Sequence, residues 1–184
     1  MTLKMYSILS SLFFSVIVLS SCQSDGPPAS AEEAREVIVG KNWSVRDAGL
    51  LESSFREQKG QPFTHTIQWL STSKDMSSEN QEMLNKFLTV TLVLDENKTP
   101  NDDSGNIAHV EGLGLEEKQG YYFTSTQEEN TYDRTVKLQV VSIFPDGSIV
   151  KYPFTILSIS SNKILLAAPP EIEPRNLILS LEAQ

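Results

Sequence analysis

Apolar and polar residues alternate along several stretches of the chain, most clearly over residues 134–144. In that stretch Val136, Leu138 and Val140 alternate with polar residues. Successive side chains of a strand point to opposite faces, so the alternation predicts strands with one buried and one solvated face. The pattern predicts a first strand that starts near Trp43, and then strands at 63–70, 89–94, 106–110, 121–125, 134–144, 148–157, 163–168 and 176–181.

A short helix is predicted before the first strand, over residues 31–39. Ser30 followed by Glu33 has the spacing of a capping box, in which each residue satisfies a free backbone donor of the first turn. Gly40 suits the end of the helix, since glycine adopts the left-handed conformation that often follows a last turn. Residues 22–30 before it contain Pro27 and Pro28, and we interpret them as a tether.

A second helix is predicted over residues 79–87, between the second and third strands. Ser77 or Ser78 can cap it. Its apolar residues recur at helical spacing, namely Met83, Leu84 and Phe87. We expect this inserted helix to cover an open barrel end or a sheet face.

About nine short strands with hairpin spacing predict a mainly β barrel or sandwich. The turn sequence 145–148 (PDGS) is a strong hairpin signal between two strands. No internal repeat and no linker divides the chain, so residues 31–184 are predicted to form one domain.

The first 21 residues have the features of a secretory signal peptide. Lys4 supplies a positive charge, and a run of about fifteen mostly apolar residues follows. A helix that crosses a bilayer needs about 20 apolar residues, so the run is too short for a transmembrane span. We therefore expect residues 1–21 to be removed.

The end of this segment, Leu19-Ser20-Ser21-Cys22, resembles the lipobox of bacterial lipoproteins. The resemblance implies cleavage between Ser21 and Cys22 and attachment of diacylglycerol to the sulfur of Cys22. Cys22 is the chain's one cysteine, so an internal disulfide is excluded. Gln23, rather than Asp, follows it, which by analogy with enteric sorting rules indicates the outer membrane of a Gram-negative bacterium. We expect a lipid-anchored protein of the cell envelope.

Charge and composition argue against several functions. The net charge is −9 and no basic run occurs, whereas proteins that bind nucleic acids need a positive surface. His65 and His109 are the two histidines, and neither has further ligands at a spacing that suggests a metal site. No metal and no cofactor is therefore expected.

The loop that begins at Asp95 is rich in oxygen-bearing side chains, but it does not fit a calcium loop. Positions six and twelve of an EF-hand loop hold Gly and Glu, whereas here they hold Pro100 and Asn106. Catalysis also has little support, because Gly-x-Ser-x-Gly is absent and the carboxylate pairs are adjacent in sequence. We expect a protein that is not an enzyme.

Several segments resemble lipocalin-like domains of bacterial lipoproteins. A short helix leads into Gly40-Lys41-Asn42-Trp43, similar to the Gly-x-Trp that opens the first lipocalin strand. Further likenesses are the strand and turn at 92–99, the Gly-x-Tyr strand start at 120–123 and the late hairpin at 152–166. The resemblance implies a lipocalin-like antiparallel β-barrel with a short N-terminal helix and one inserted helix.

A barrel of eight strands is either filled by its own side chains or hollow enough for one small ligand. Five aromatic residues are predicted to line a cavity if it is hollow: Trp43, Trp69, Tyr121, Phe123 and Tyr152. The leading hypothesis is a non-catalytic binding module for a small apolar ligand or a protein partner of the envelope. The alternatives are a filled-barrel structural or assembly lipoprotein and, with less support, an envelope hydrolase.

Overall fold

The computed structural model describes residues 26–52, 66–72, 76–98, 106–127 and 134–184. The signal-peptide and lipidation predictions, including Ser21 and Cys22, lie outside these ranges. His65 and the loop residues 99–105 also lie outside them.

Helix α1 covers Ala31–Ile38, and Ser30 is its N-cap as predicted, whereas its C-cap is the extended residue Val39 rather than Gly40. The Ser30 side chain accepts a hydrogen bond from the Glu33 amide at 3.1 Å, and Glu33 in turn accepts one from the Ala29 amide. Gly40 has φ +76°, a conformation that costs a residue with a side chain about 1 kcal/mol or more. Three residues, 39–41, therefore separate the end of α1 from the start of β1.

Helix α2 covers Ser78–Phe87 and confirms the predicted insertion. Ser77 is its N-cap, because the Ser77 hydroxyl accepts a hydrogen bond from the Asn80 amide at 3.2 Å. Leu84 and Phe87 are buried, and Met83 packs partly against the core. The apolar side of the helix therefore faces the barrel.

Nine strands are present in the described part of the chain, close to the predicted positions. They are β1 (Asn42–Glu52), β2 (Thr66–Trp69), β3 (Thr91–Lys98), β4 (Asn106–Glu111), β5 (Gln119–Gln127), β6 (Arg134–Ile143), β7 (Ile149–Ile159), β8 (Lys163–Ala167) and β9 (Leu177–Ala183).

The strands form a closed antiparallel barrel. From β3 to β9 each strand pairs with the next in sequence, β1 pairs with β3, and β1 also pairs with β9, which closes the circle. Eight strands make the barrel, and β2 is an additional strand on β1. The predicted mainly β fold, a barrel with one helix before it and one inserted helix, is confirmed.

Strands β2 and β3 share one edge of β1, and α2 is inserted between them. The amide of Leu70 donates to the Ala48 carbonyl, and the amide of Val45 donates to the Val90 carbonyl, both close to 3 Å. Along β1 these two contacts are three residues apart, about 10 Å. The chain between residues 70 and 90 thus leaves the sheet, forms α2 and returns almost where it left.

The two ends of the barrel are covered by different elements. At the end where β1 begins, here called the α1 end, helix α1 lies across β5 and β6, and Gly40 donates to the Leu94 carbonyl. The opposite end, here called the α2 end, contains α2, the 112–118 loop and the β6–β7 turn. This turn is the hairpin turn predicted at 145–148. Gly147 has φ +85°, and the Phe144 amide donates a hydrogen bond to the Ser148 carbonyl.

Candidate functional site

The interior of the barrel is filled. Its void has a volume of only about 10 Å³. The lining is apolar throughout: Val90, Leu92, Val110, Leu113, Leu138, Val140, Phe154, Leu166, Leu179 and Leu181. One water needs roughly 10–15 Å³ and polar partners, and pockets for small molecules measure about 300–1,000 Å³. The inward positions of alternate strand residues are therefore used for packing.

Trp43 blocks the interior at the α1 end. Its side chain is completely buried, and its indole Nε1 donates a hydrogen bond to the carbonyl oxygen of Ile38 at 2.8 Å. The Nζ of Lys41 lies 5.4 Å from the centre of its ring. Because Ile38 is the last residue of α1, this hydrogen bond joins the helix to the barrel core.

Tyr121 and Phe123 lie next to each other on β5. Their rings meet edge to face with centroids 5.8 Å apart. The Tyr121 hydroxyl donates to the carbonyl oxygen of Asp95 at 2.8 Å. Burial raises the pKa of Tyr121, the carboxylates of Asp95 and Glu96 raise it further, and the Arg35 guanidinium opposes them. The phenol is consequently held in its neutral, hydrogen-bonded form.

The other two predicted aromatic residues lie on other strands, Tyr152 on β7 and Trp69 on β2. Tyr152 is half-buried and packs against the core. Trp69 is paired with Gly49 across β1 and β2, so both residues share one face of the sheet. A Cβ added at Gly49 would lie 2.8 Å from Cγ2 of Ile67 and 3.1 Å from Cε3 of Trp69. None of the five aromatic residues lines the interior void, which has the ten aliphatic and aromatic neighbours named above.

At the α2 end the barrel is blocked by the 112–118 loop. Gly112 has φ +80° and Gly114 has φ +69°, and the residue between them, Leu113, reaches the interior void. An added Cβ at Gly112 would lie 3.1 Å from the Val90 backbone. The two glycines allow the loop to turn sharply enough to put one leucine into the barrel mouth.

Gln119 holds this loop in place. Its side-chain oxygen accepts a hydrogen bond from the Val110 amide at 2.6 Å, and its nitrogen donates to the carbonyls of Val110 at 3.0 Å and Glu116 at 2.7 Å. Sequence reasoning missed both Gln119 and Leu113. The one local signal is the sequence Gly112-Leu113-Gly114, whose two glycines indicate a turn but not what the leucine between them contacts.

No cluster of side chains that could hold a metal ion is present in the part of the chain that the structure describes. There, no three or more His, Cys, Asp or Glu side chains converge. His109 Nε2 lies 3.4 Å from Asp95 Oδ2, and both side chains are solvent-accessible, at 58% and 38%. This pair is a surface contact between two strands.

An open surface groove lies between α2 and the β8–β9 connection, and it is here called the α2 groove. Its volume is about 560 Å³. The lining combines Met83, Phe87 and Pro174 with the charged residues Glu79, Glu82, Lys86 and Glu173. Three carboxylates and one ammonium group make the groove acidic around an apolar floor. It is open to solvent, in contrast to the interior.

Comparison of the chain with protein-family models, with curated proteins and with solved structures found no match. Among the residues that the structure describes, neither helix has the length and apolar content needed to cross a membrane.

Proposed function

We propose that this protein is a lipid-anchored lipoprotein of the cell envelope that acts by binding a protein partner on the outside of a filled barrel. The observation that supports this most strongly is the interior void of about 10 Å³, which gives a small apolar ligand no room. If no ligand binds inside the barrel, a partner can bind only to its outer surface or its ends.

Attachment to the membrane is proposed through Cys22. The four-residue match to the lipobox at 19–22 supports it, and so does the signal-like segment that precedes the match. Each buried CH₂ of an acyl chain contributes about 0.8 kcal/mol, so two or three chains hold a protein firmly without a spanning helix. Gln23 after the cysteine supports the outer membrane as the location.

The relation to lipocalin-like domains is part of the proposal. The closed meander supports it at the level of architecture. In lipocalin-like domains a tryptophan early in the first strand fills the closed end of the barrel. Trp43 has the matching position in this chain and is buried beneath α1. A structural role in envelope assembly, without enzyme activity or cofactor, agrees with this description.

The α2 groove is the proposed contact surface for the partner. Its carboxylates favour a basic segment, and its floor of Met83, Phe87 and Pro174 offers apolar area to bury. A photo-cross-linking amino acid at Glu82 should form one specific adduct with the partner in cells. The same amino acid at the exposed Lys163, at the other end of the barrel, should form none. Equal capture from both positions would contradict the assignment of the groove.

Lipid attachment is tested by labelling cells with radioactive palmitate. The wild-type protein and the matched control Ser24→Ala should both incorporate label, whereas Cys22→Ala should not. The unlabelled variant should also leave the membrane fraction. Incorporation of palmitate by Cys22→Ala would overturn the lipoprotein proposal.

A further inference from the structure

We infer that the α1 end of the barrel faces the lipid bilayer and that the α2 end faces away from it. This inference rests on the proposed lipid attachment at Cys22. It concerns which surface of the folded domain lies against the membrane, which the lipobox alone does not specify.

The tether is fixed to the barrel at one end. Gly26 forms an isolated antiparallel bridge with Ile159, in which the Ile159 amide donates to the Gly26 carbonyl at 3.0 Å. Ile159 is the last residue of β7, and β7 ends at the α1 end. The point at which the lipid-bearing segment joins the domain is therefore at the α1 end.

The length of chain between the lipid and this point decides the orientation. Cys22 and Gly26 are four residues apart, and four residues span at most about 14 Å. Strand β7 has 11 residues and is about 36 Å long, or about 28 Å along the barrel axis at a typical strand tilt near 40°. The segment cannot reach along the barrel to the α2 end, so the lipid enters the bilayer beside the α1 end.

Among the described residues, the bilayer-facing surface then includes α1 and the β7–β8 turn. These two parts are connected, because Nζ of Lys41, just after α1, donates to the Ser161 carbonyl at 2.7 Å. At the other end of β7, Ile149 and Val150 are 47% and 38% exposed. The inferred orientation places these two apolar side chains on the side away from the lipid.

Single-cysteine labelling tests the orientation. Cys22 is the one cysteine of the chain, and its acylated sulfur does not react with thiol reagents. A cysteine introduced elsewhere is therefore labelled uniquely. Ser161→Cys and Ser148→Cys are a matched pair, since both serines are in turns at opposite ends of β7, Ser161 at the α1 end and Ser148 at the α2 end.

The acylated proteins are labelled with a small fluorophore and reconstituted into phosphatidylcholine vesicles that contain a headgroup-nitroxide lipid as a short-range quencher. Fluorescence at position 161 should be quenched several-fold more strongly than at position 148. Equal quenching, or stronger quenching at position 148, would overturn the inference. Flotation with vesicles distinguishes the two proposals. If the protein floats and quenching is stronger at position 148, the orientation alone is contradicted. If the protein carries no acyl chains and does not float, the lipid anchor is contradicted.

Discussion

The side-chain amide of Gln119 forms hydrogen bonds with both backbone groups of Val110, at 2.6 Å to the amide nitrogen and 3.0 Å to the carbonyl oxygen. Strands β4 and β5 pair directly only over Asn106–Ala108 on the β4 side. Beyond that point the Gln119 side chain occupies the place of a strand neighbour. It closes the barrel wall where the backbones diverge.

Replacement of Gln119 by Leu should destabilise the protein by about 2–4 kcal/mol, since buried backbone groups left without partners each cost about 1–3 kcal/mol. The measurement is urea unfolding. Gln127→Leu, an exposed position on the same strand, is the matched control and should change the stability by less than about 0.5 kcal/mol. Gln119→Leu with wild-type stability would show that the side chain does not hold the wall.

The two tryptophans should differ strongly in their contribution to stability. Trp43→Phe leaves a void beneath α1 and removes the donor to the Ile38 carbonyl, so we expect a loss of about 2–4 kcal/mol. Trp69 is only half-buried, and Trp69→Phe should cost less. Equal losses for the two variants would contradict the placement of Trp43 as the plug of the α1 end.

Fluorescence quenching gives a second test of the same placement. The chain has two tryptophans, so Trp69→Phe leaves the emission of Trp43 alone and Trp43→Phe leaves that of Trp69. Acrylamide should quench Trp43 weakly because its side chain is fully buried. It should quench Trp69 more. The opposite order would be incompatible with the fold.

Gly49 should not tolerate a side chain. Gly49→Ala puts a methyl group 2.8 Å from Cγ2 of Ile67, and overpacking of this kind costs about 1–3 kcal/mol. Ile67→Leu removes that Cγ2 branch. The Gly49→Ala substitution should therefore cost less stability in the Ile67→Leu background than in the wild-type protein. Simple additivity in thermal or urea unfolding would argue against this contact.

Alkaline pH should destabilise the barrel through Tyr121. Its pKa is raised above 10.0 in the folded protein, chiefly by burial, so the folded state keeps a proton that the unfolded state has released. Ionisation of Tyr121 thus leaves the free energy of unfolding independent of pH below about pH 10, and lowers it as the pH rises above that value. Tyr121→Phe should be less stable at neutral pH by about 1 kcal/mol, because the hydrogen bond to Asp95 is lost.

The same variant should lose less additional stability above pH 10 than the wild type. The measurement is the urea-unfolding midpoint at pH 7, 9 and 11. Parallel loss of stability in the two proteins between pH 9 and 11 would show that Tyr121 does not titrate in this way.

Much of the fold follows from local patterns in the sequence. The alternation at Val136, Leu138 and Val140 reports directly which residues face the core, and all three are buried. Both helix caps depend on contacts within one turn, so the sequence alone predicts Ser30 for α1 and limits the cap of α2 to Ser77 or Ser78. The turn before Ser148 is local in the same way.

What escaped prediction depends on contacts between residues far apart in the chain. The pattern predicted 63–70 and 89–94 as two separate strands, and nothing local indicates that β2 and β3 share one edge of β1. Gln119 has the polarity of a surface residue in the sequence. Its side chain is buried because it fills the space where β4 and β5 diverge. The volume left inside the barrel is a small difference between large packed volumes, so the aromatic content could not distinguish a filled interior from a hollow one.

Native mass spectrometry of the full-length protein extracted from membranes in mild detergent tests whether the barrel is both lipid-anchored and filled. We expect a single folded species whose mass equals the chain from Cys22 onward plus its acyl groups, with no further small molecule bound. A species with an additional bound apolar molecule that is released on unfolding, or one without acyl groups that still begins at residue 1, would contradict it.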